Sequence, residues 1–201
     1  ISKLVNRVDF SKRPFQVWAD KETYEAESVI ISTGASSRML GLDSEKKLLG
    51  HGVSTCATCD GFFFKGKEIV VVGGGDSAME ESTFLTKFAN KVNVVHRRDK
   101  LRASKIMQER AQKNPKIEFI WDTIVEDIRD PSQQKVTAVQ LKNIKTGKVA
   151  EKKCDGVFLA IGHEPNTKIF RGQITLDEKG YIATQENTQT SVKGVFAAGD
   201  C

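Results

Sequence analysis

The sequence predicts an α/β chain organised around a parallel sheet, and three observations predict it. The run Glu68-Ile69-Val70-Val71-Val72 is apolar without alternation, as a strand covered on both faces reads. After Gly73-Gly74-Gly75, residues Ala78, Met79, Ser82, Leu85, Phe88 and Ala89 recur at helical spacing. A second strand, Val92 to Val95, follows, so that strand, helix and strand make one βαβ unit, parallel and right-handed.

Composition agrees with this class. The chain has 201 residues, 39% hydrophobic and 28% charged, the balance of a globular protein long enough for one or two domains. With 31 Lys and Arg against 26 Asp and Glu, the net charge is only +5. The basic residues are scattered outside His96-Arg97-Arg98, so nucleic acid is not an expected partner. No stretch approaches the roughly 20 apolar residues of a membrane helix. Ile1 to Arg7 lacks the apolar segment of a secretory signal, so no membrane association and a cytoplasmic location are expected. The sequence does not begin with Met and reads as a fragment or a processed piece.

The elements follow in order. Leu4 to Phe10 and Phe15 to Ala19 read as strands broken by Ser11-Lys12-Arg13-Pro14, with Tyr24 to Glu27 leading on to the buried run Val29-Ile30-Ile31. Ser32-Thr33-Gly34-Ala35 is a tight turn in which Gly34 allows close backbone approach. Residues 36 to 66 read as irregular. The helix after the glycines is expected to run to about Ala89 and to stop at Asn90. Leu101 to Lys113 reads as a second helix, stopped by Asn114-Pro115, and Ile117 to Trp121 as a third strand. Val136 to Asn143 and Lys148 to Cys154 read as a hairpin, and Val157 to Ile161 as another strand buried on both faces.

Two patterns carry chemistry. Gly73-x-Gly75-x-x-Ala78 stands between a buried strand and a helix, the context in which glycines let the backbone turn onto a pyrophosphate at the positive helix end. Gly73, Gly75, Asp76, Ser77 and Ala78 are therefore candidate nucleotide-binding residues. An NAD site wants an acidic residue about 20 positions on, for the ribose 2′-hydroxyl. Here the next strand ends His96-Arg97-Arg98, with Arg102 one helical turn further, and forked cations suit a 2′-phosphate. NADPH is the expected nucleotide. The second pattern is Cys56-Ala57-Thr58-Cys59-Asp60, two of four cysteines. It reads as half a zinc site, as inert thiols or as a redox-active dithiol. Zinc needs two more ligands, and only His51, His96 and His163 are on hand, so no metal is expected. For the dithiol, Ser54 or Thr55 could cap a short helix and favour a thiolate, with Asp60 moving the proton. Hydride carries two electrons and thiols do not ordinarily take it directly, so a flavin relay is expected.

Five motifs in order resemble the low-molecular-weight thioredoxin reductases: Cys56–Gly61, Gly73–Glu81, His96–Asp99, Ala160–Thr167 and Thr190–Asp200. The resemblance implies a Rossmann-like NADPH domain, residues 39–161, inserted into a partial FAD-binding domain, residues 1–38 and 162–201. It implies that Thr33, Gly34, Ala35, Gly199 and Asp200 contact FAD, that Cys59 faces the flavin, that Cys56 attacks the disulphide of thioredoxin and that Asp60 is acid and base. It also implies domain rotation between the two half-reactions and a homodimer when full length. An N-terminal glycine loop for FAD and a segment after Gly199-Asp200 belong to such reductases and are not in this sequence, which reads as the middle of one, expected to bind flavin poorly by itself. A related flavoprotein that reduces peroxiredoxin, and a non-catalytic NADP-binding or zinc-stabilised module, are the alternatives. The aromatic run Phe62-Phe63-Phe64 is expected to be buried against a neighbouring domain, and Cys154 to be a small buried apolar residue.

Replacing both arginines, R97A with R98A, is expected to weaken NADPH binding and change NADH binding little; titration with each nucleotide measures it, and equal loss of both speaks against a phosphate clamp.

Overall fold

The computed structural model describes residues 2–201 and divides them into two units. One comprises the residues up to Ser36 together with His163–Cys201, the other Ser37–Gly162. In chain order the strands are β1 (Val5–Asp9), β2 (Phe15–Ala19), β3 (Glu22–Ala26), β4 (Val29–Ile31) and β5 (Ala35–Ser37). Helix α1 (Asp43–Leu48), β6 (Val53–Ser54), α2 (Ala57–Asp60), β7 (Glu68–Gly73), α3 (Asp76–Leu85), β8 (Lys91–Val95), α4 (Lys105–Gln112) and β9 (Ile117–Ile120) follow. Then come β10 (Thr123–Ile128), β11 (Ala138–Asn143), β12 (Val149–Lys153), β13 (Gly156–Ala160), β14 (His163–Pro165) and β15 (Val195–Ala197). Among the described residues no helix is long and apolar enough to cross a membrane.

The second unit is built on the five-stranded sheet β6-β13-β7-β8-β9, whose neighbours all pair in parallel. Its apolar runs lack alternation because each face meets a different layer. Ile69, Val71, Val92, Val94 and Phe158 pack with Ala78, Met79 and Leu85 of α3 and Ala111 of α4. Val70, Val72, Val95, Val157 and Leu159 point the other way, to Leu48 of α1 and to Val125, Ile128, Val139 and Leu141. Those last residues belong to the antiparallel meander β10-β11-β12. Successive side chains of one strand thus fill two separate cores.

The first unit holds the antiparallel meander β1-β2-β3 and the parallel pair β4-β15. Its core gathers Val8, Phe10, Phe15, Ile31, Phe170, Val195 and Cys201, with Phe10 edge-on to Phe15 and stacked on Phe170. Here a single apolar face of each strand is buried, in the ordinary manner of an antiparallel sheet.

Four departures from the sequence reading have local causes. Helix α3 is regular only to Leu85; its last turns are irregular, and the Thr86 and Ala89 carbonyls accept from the Lys116 ammonium at 2.8 and 3.1 Å. Helix α4 starts at Lys105 and not at Leu101, because the N–H groups of Arg102 and Ala103 donate to the carbonyl of Gly74. Residues 36–66 are not wholly irregular. They include α1, whose fully buried Glu45 accepts from the N–H groups of Leu40 and Gly41 at 2.7 and 2.9 Å. Strand β10 was not expected, its alternation being interrupted by a register shift between Val125 and Asp127.

The aromatic run divides as well. Phe64 is buried in its own unit, edge-on to Phe158, whereas Phe62 and Phe63 are 66% and 69% exposed. Phe158→Ala is expected to destabilise the unit by about 3–5 kcal/mol and Phe62→Ala by less than about 0.5 kcal/mol. Urea unfolding of the two variants measures the contrast.

Candidate functional site

The glycine turn is shaped by contacts that a side chain would prevent. A Cβ on Gly73 would collide with the carbonyl oxygen of Ala160 and lie 2.7 Å from the methyl of Ala78. A Cβ on Gly74 would clash with the imidazole of His96. Gly75, at the N-cap of α3, faces open space and supplies no side chain to the first helical N–H groups. Strand, turn and helix therefore present free N–H donors at the positive end of a ten-residue helix. Beside them lies a cleft of about 310 Å³, whose lining includes Gly73, Gly74, His96, Arg97, Arg102 and Ala160.

His96 is buried, and the carbonyl of Lys100 accepts from its Nε2 at 3.0 Å. Burial lowers its pKa, and the positive charges of Arg102 and Arg98 push in the same direction, so it stands in the floor of the cleft as a neutral ring. Arg97, Arg98 and Arg102 are exposed and form no ion pair among the described residues. Asp99, in their midst, is bound by Lys145 at 3.2 Å, and Lys145 also binds Asp122 at 3.0 Å. The neighbouring acid is thus partnered and the three guanidinium groups are left for a ligand. Ser77 is exposed in the first turn of α3, while Ala78 is buried under Gly73. Asp76 turns one carboxylate oxygen to the N–H of Ser104, at 2.8 Å.

Cys56 and Cys59 are joined in a disulphide, with Cα atoms 5.3 Å apart. The short helix α2 is capped by Cys56 itself: its sulfur accepts from the N–H of Cys59 at 3.2 Å and lies 3.4 Å from the Thr58 hydroxyl. This corrects the expectation that Ser54 or Thr55 caps the helix. The Ser54 hydroxyl lies one step back and accepts from the N–H of Cys56 at 3.0 Å. Cys56 is half-buried and Cys59 exposed, with Asp60 half-buried at the end of the turn. Cys154 and Cys201 are free and buried, and burial pushes the Cys154 thiol up to about 12.

A second cleft, of about 270 Å³, lies against Cys56 and is bounded on its far side by Glu80, Glu81 and Phe84 of α3. Burial first, and then the charge of Glu80, raise the Glu81 pKa to about 7. One of its oxygens is buried without a hydrogen-bond partner among the described residues. Nothing in the run of residues marks this, since a pair of acids early in a helix is accounted for by the helix dipole alone.

In the other unit, Thr33, Gly34 and Ala35 follow β4, and Gly199 and Asp200 follow β15. The two strands are parallel and adjacent, so these five residues meet at one end of the pair, the carboxyl ends where α/β sheets take ligands. Gly34 and Gly199 have φ of +65° and +85°, which glycine adopts without strain. The N–H of Asn166 donates to the carbonyl of Gly34 at 2.9 Å and its amide to that of Thr33 at 3.0 Å.

Because the folded Glu81 binds its proton more tightly than the ordinary carboxyl, at 4.5, stability from this residue is full below about pH 4.5 and lost as the pH rises through about 7. Glu81→Gln is expected to flatten the pH dependence of the Tm over that window and to raise the Tm at pH 8, as thermal melts across pH will measure.

The chain matches the pyridine nucleotide-disulphide oxidoreductase family over residues 2–201. Thioredoxin reductase of Rickettsia typhi is 56% identical over 203 residues, covering 100% of this chain and 66% of that relative. Thioredoxin reductase 2 of Arabidopsis thaliana is 51% identical, covering 99% of this chain and 54% of its own length. Among solved structures, Lactococcus lactis thioredoxin reductase superposes with a TM-score of 0.84 at 40% identity, over 98% of this chain and 65% of that one. Thioredoxin reductase from Giardia duodenalis gives 0.84 at 44%, over 100% and 66%. The chain accordingly spans no more than 66% of the length of these relatives. Glycine turn, exposed arginines and adjacent cysteine pair thus stand in a chain that belongs to the pyridine nucleotide-disulphide oxidoreductase family.

Proposed function

We propose that this chain is part of an NADPH-dependent thioredoxin reductase, in which residues 39–161 bind the nucleotide and carry the reducible disulphide while residues 1–38 and 162–201 contribute to an FAD site. The observation that carries the reading is the bonded, partly exposed pair Cys56–Cys59 in the same unit as a glycine turn flanked by three unpaired arginines. The breaks between units, after Ser36 and after Gly162, support that division of labour.

The residues suit the two cofactors. Gly73 and Gly74 let the turn pack against Ala160 and the His96 ring, Gly75 faces open space where a pyrophosphate would approach, Asp76, Ser77 and Ala78 open the helix behind it, and Arg97, Arg98 and Arg102 suit a 2′-phosphate. Thr33, Gly34, Ala35, Gly199 and Asp200 suit the phosphate and sugar portions of FAD. When bound, NADPH supplies a hydride and FAD relays its two electrons to a disulphide.

The chain's own part is thiol chemistry. Two electrons and two protons open the Cys56–Cys59 bond to two thiols. The N–H of Cys59 and the Thr58 hydroxyl stand where they stabilise a thiolate on Cys56, which supports Cys56 as the group that attacks a disulphide of thioredoxin. Cys56 gives its proton to Asp60 and attacks, and a mixed disulphide forms as the partner's second sulfur leaves and takes that proton back from Asp60. Cys59 then attacks the Cys56 sulfur and displaces the thioredoxin sulfur, restoring the internal bond and releasing reduced thioredoxin, while the Cys59 proton passes to the departing thiol. The exposed rings of Phe62 and Phe63 beside the pair suit an apolar rim on that partner. The reading carries with it a homodimeric whole protein in the cytoplasm, a compartment that keeps dithiols reduced.

In the whole protein, C56S and C59S are each expected to reduce thioredoxin reduction to background, while NADPH still bleaches the flavin absorbance. Retention of thioredoxin reduction by either variant overturns the reading.

A further inference from the structure

The segment from Lys100 to Ser104 is bound to the glycine turn at several points. The carbonyl of Gly74 accepts from the N–H groups of Arg102 and Ala103, at 2.7 and 3.2 Å, and the carbonyl of Lys100 accepts from the His96 ring at 3.0 Å. The last tie differs in kind. The N–H of Ser104, the N-cap of α4, donates at 2.8 Å to Oδ1 of Asp76, the first residue of α3. It is the one tie of the four made by an exposed side chain.

A carboxylate in this place needs a reason. Asp76 follows directly on the three glycines, where a ligand's negative phosphates are expected and a second anion repels them. What the structure gives in return is a fixed Arg102, three residues into the segment and exposed beside the cleft with Arg97. The Ser104 N–H, and then its hydroxyl, hold the Asp76 carboxyl below the usual carboxylate range, so the acceptor stays ionised through the neutral range. The other acid nearby, Asp99, is occupied by Lys145.

We propose that Asp76 is a positioning residue for the nucleotide's 2′-phosphate: by holding the Ser104 N–H it joins the starts of α3 and α4 and fixes Arg102 beside Arg97 and Arg98. The inference rests on the NADPH reading above and deepens it, since it makes Asp76 a determinant of NADPH over NADH. Nothing in it requires Asp76 to touch the nucleotide. Asn retains an acceptor oxygen and preserves the tie; Ala does not.

The test uses the whole protein with its flavin. D76A is expected to raise the KM for NADPH about tenfold, to leave kcat within about twofold, and to change the KM for NADH far less, so that the preference between the nucleotides falls. D76N restores the preference. Ser104→Pro removes the same donor at a φ of −59°, which proline adopts, so adding D76A to it should cost nothing further. Hydrogen exchange at the amides of residues 102–104 should quicken in D76A and not in D76N. Quickened exchange with an unchanged preference for NADPH overturns the proposal and leaves the NADPH reading standing, as does an equal rise in both KM values. An unsubstituted protein with no preference for NADPH overturns both, and the exchange measurement still reports whether the tie exists.

Discussion

At Gly73 the backbone leaves β7 with the carbonyl of Ala160 and the methyl of Ala78 already where a side chain would begin. That close passage governs the rest of the second unit. It allows β13 to lie directly beside β7, with Ala160 opposite Gly73, and it seats α3 against the sheet at its first turn. The helix axis then starts at the strand's end, and its unpaired N–H groups face the same opening as the arginines that follow β8. Gly74 repeats the constraint one residue on, because the His96 ring fills the space its side chain would need. A single added methyl at either position would have to displace main chain or a buried ring.

Charge is distributed so that this opening stays positive. Three guanidinium groups have no acidic partner among the described residues, while Asp99 and Asp122 share Lys145 and Asp76 is turned to a backbone amide. His96, directly below, is held neutral by burial and by the charges of Arg102 and Arg98, so the positive charge of the opening is that of the guanidinium groups and the helix end. The cysteine pair uses the same economy of means on a smaller scale. A half-buried sulfur takes the place of the usual oxygen cap on a four-residue helix, so one half of the disulphide is also the group that begins the helix.

Much of this was legible in the residues. β7 and β13 announce themselves because both faces are buried and nothing polar interrupts their apolar runs, β8 because Val92, Val94 and Val95 surround a single buried Asn93, and the glycine turn, the arginines and the cysteine pair are contiguous motifs. What was not legible depends on partners far along the chain. β10 bends its alternation around Asp127, whose carboxylate accepts from Ser44 of α1, 83 residues away, at 2.6 Å. The start of α4 is delayed by a carbonyl at Gly74, and the pKa of Glu81 is raised by burial that no run of neighbouring residues encodes. Helix α1 did carry a local signal, acids in its first turn and lysines in its last, but six residues fall below the length at which periodicity speaks.

Cys154 lies in the same unit as the disulphide, on the face of the sheet that the meander covers, with its thiol held up at about 12. A sulfur so placed is protonated at any pH a cell attains, and protonated sulfur is a poor nucleophile. The unit thus holds its third sulfur apart from the disulphide, buried under the meander, where a thiol reagent meets a protonated and covered group while an opened pair at 56 and 59 stands half-buried and exposed.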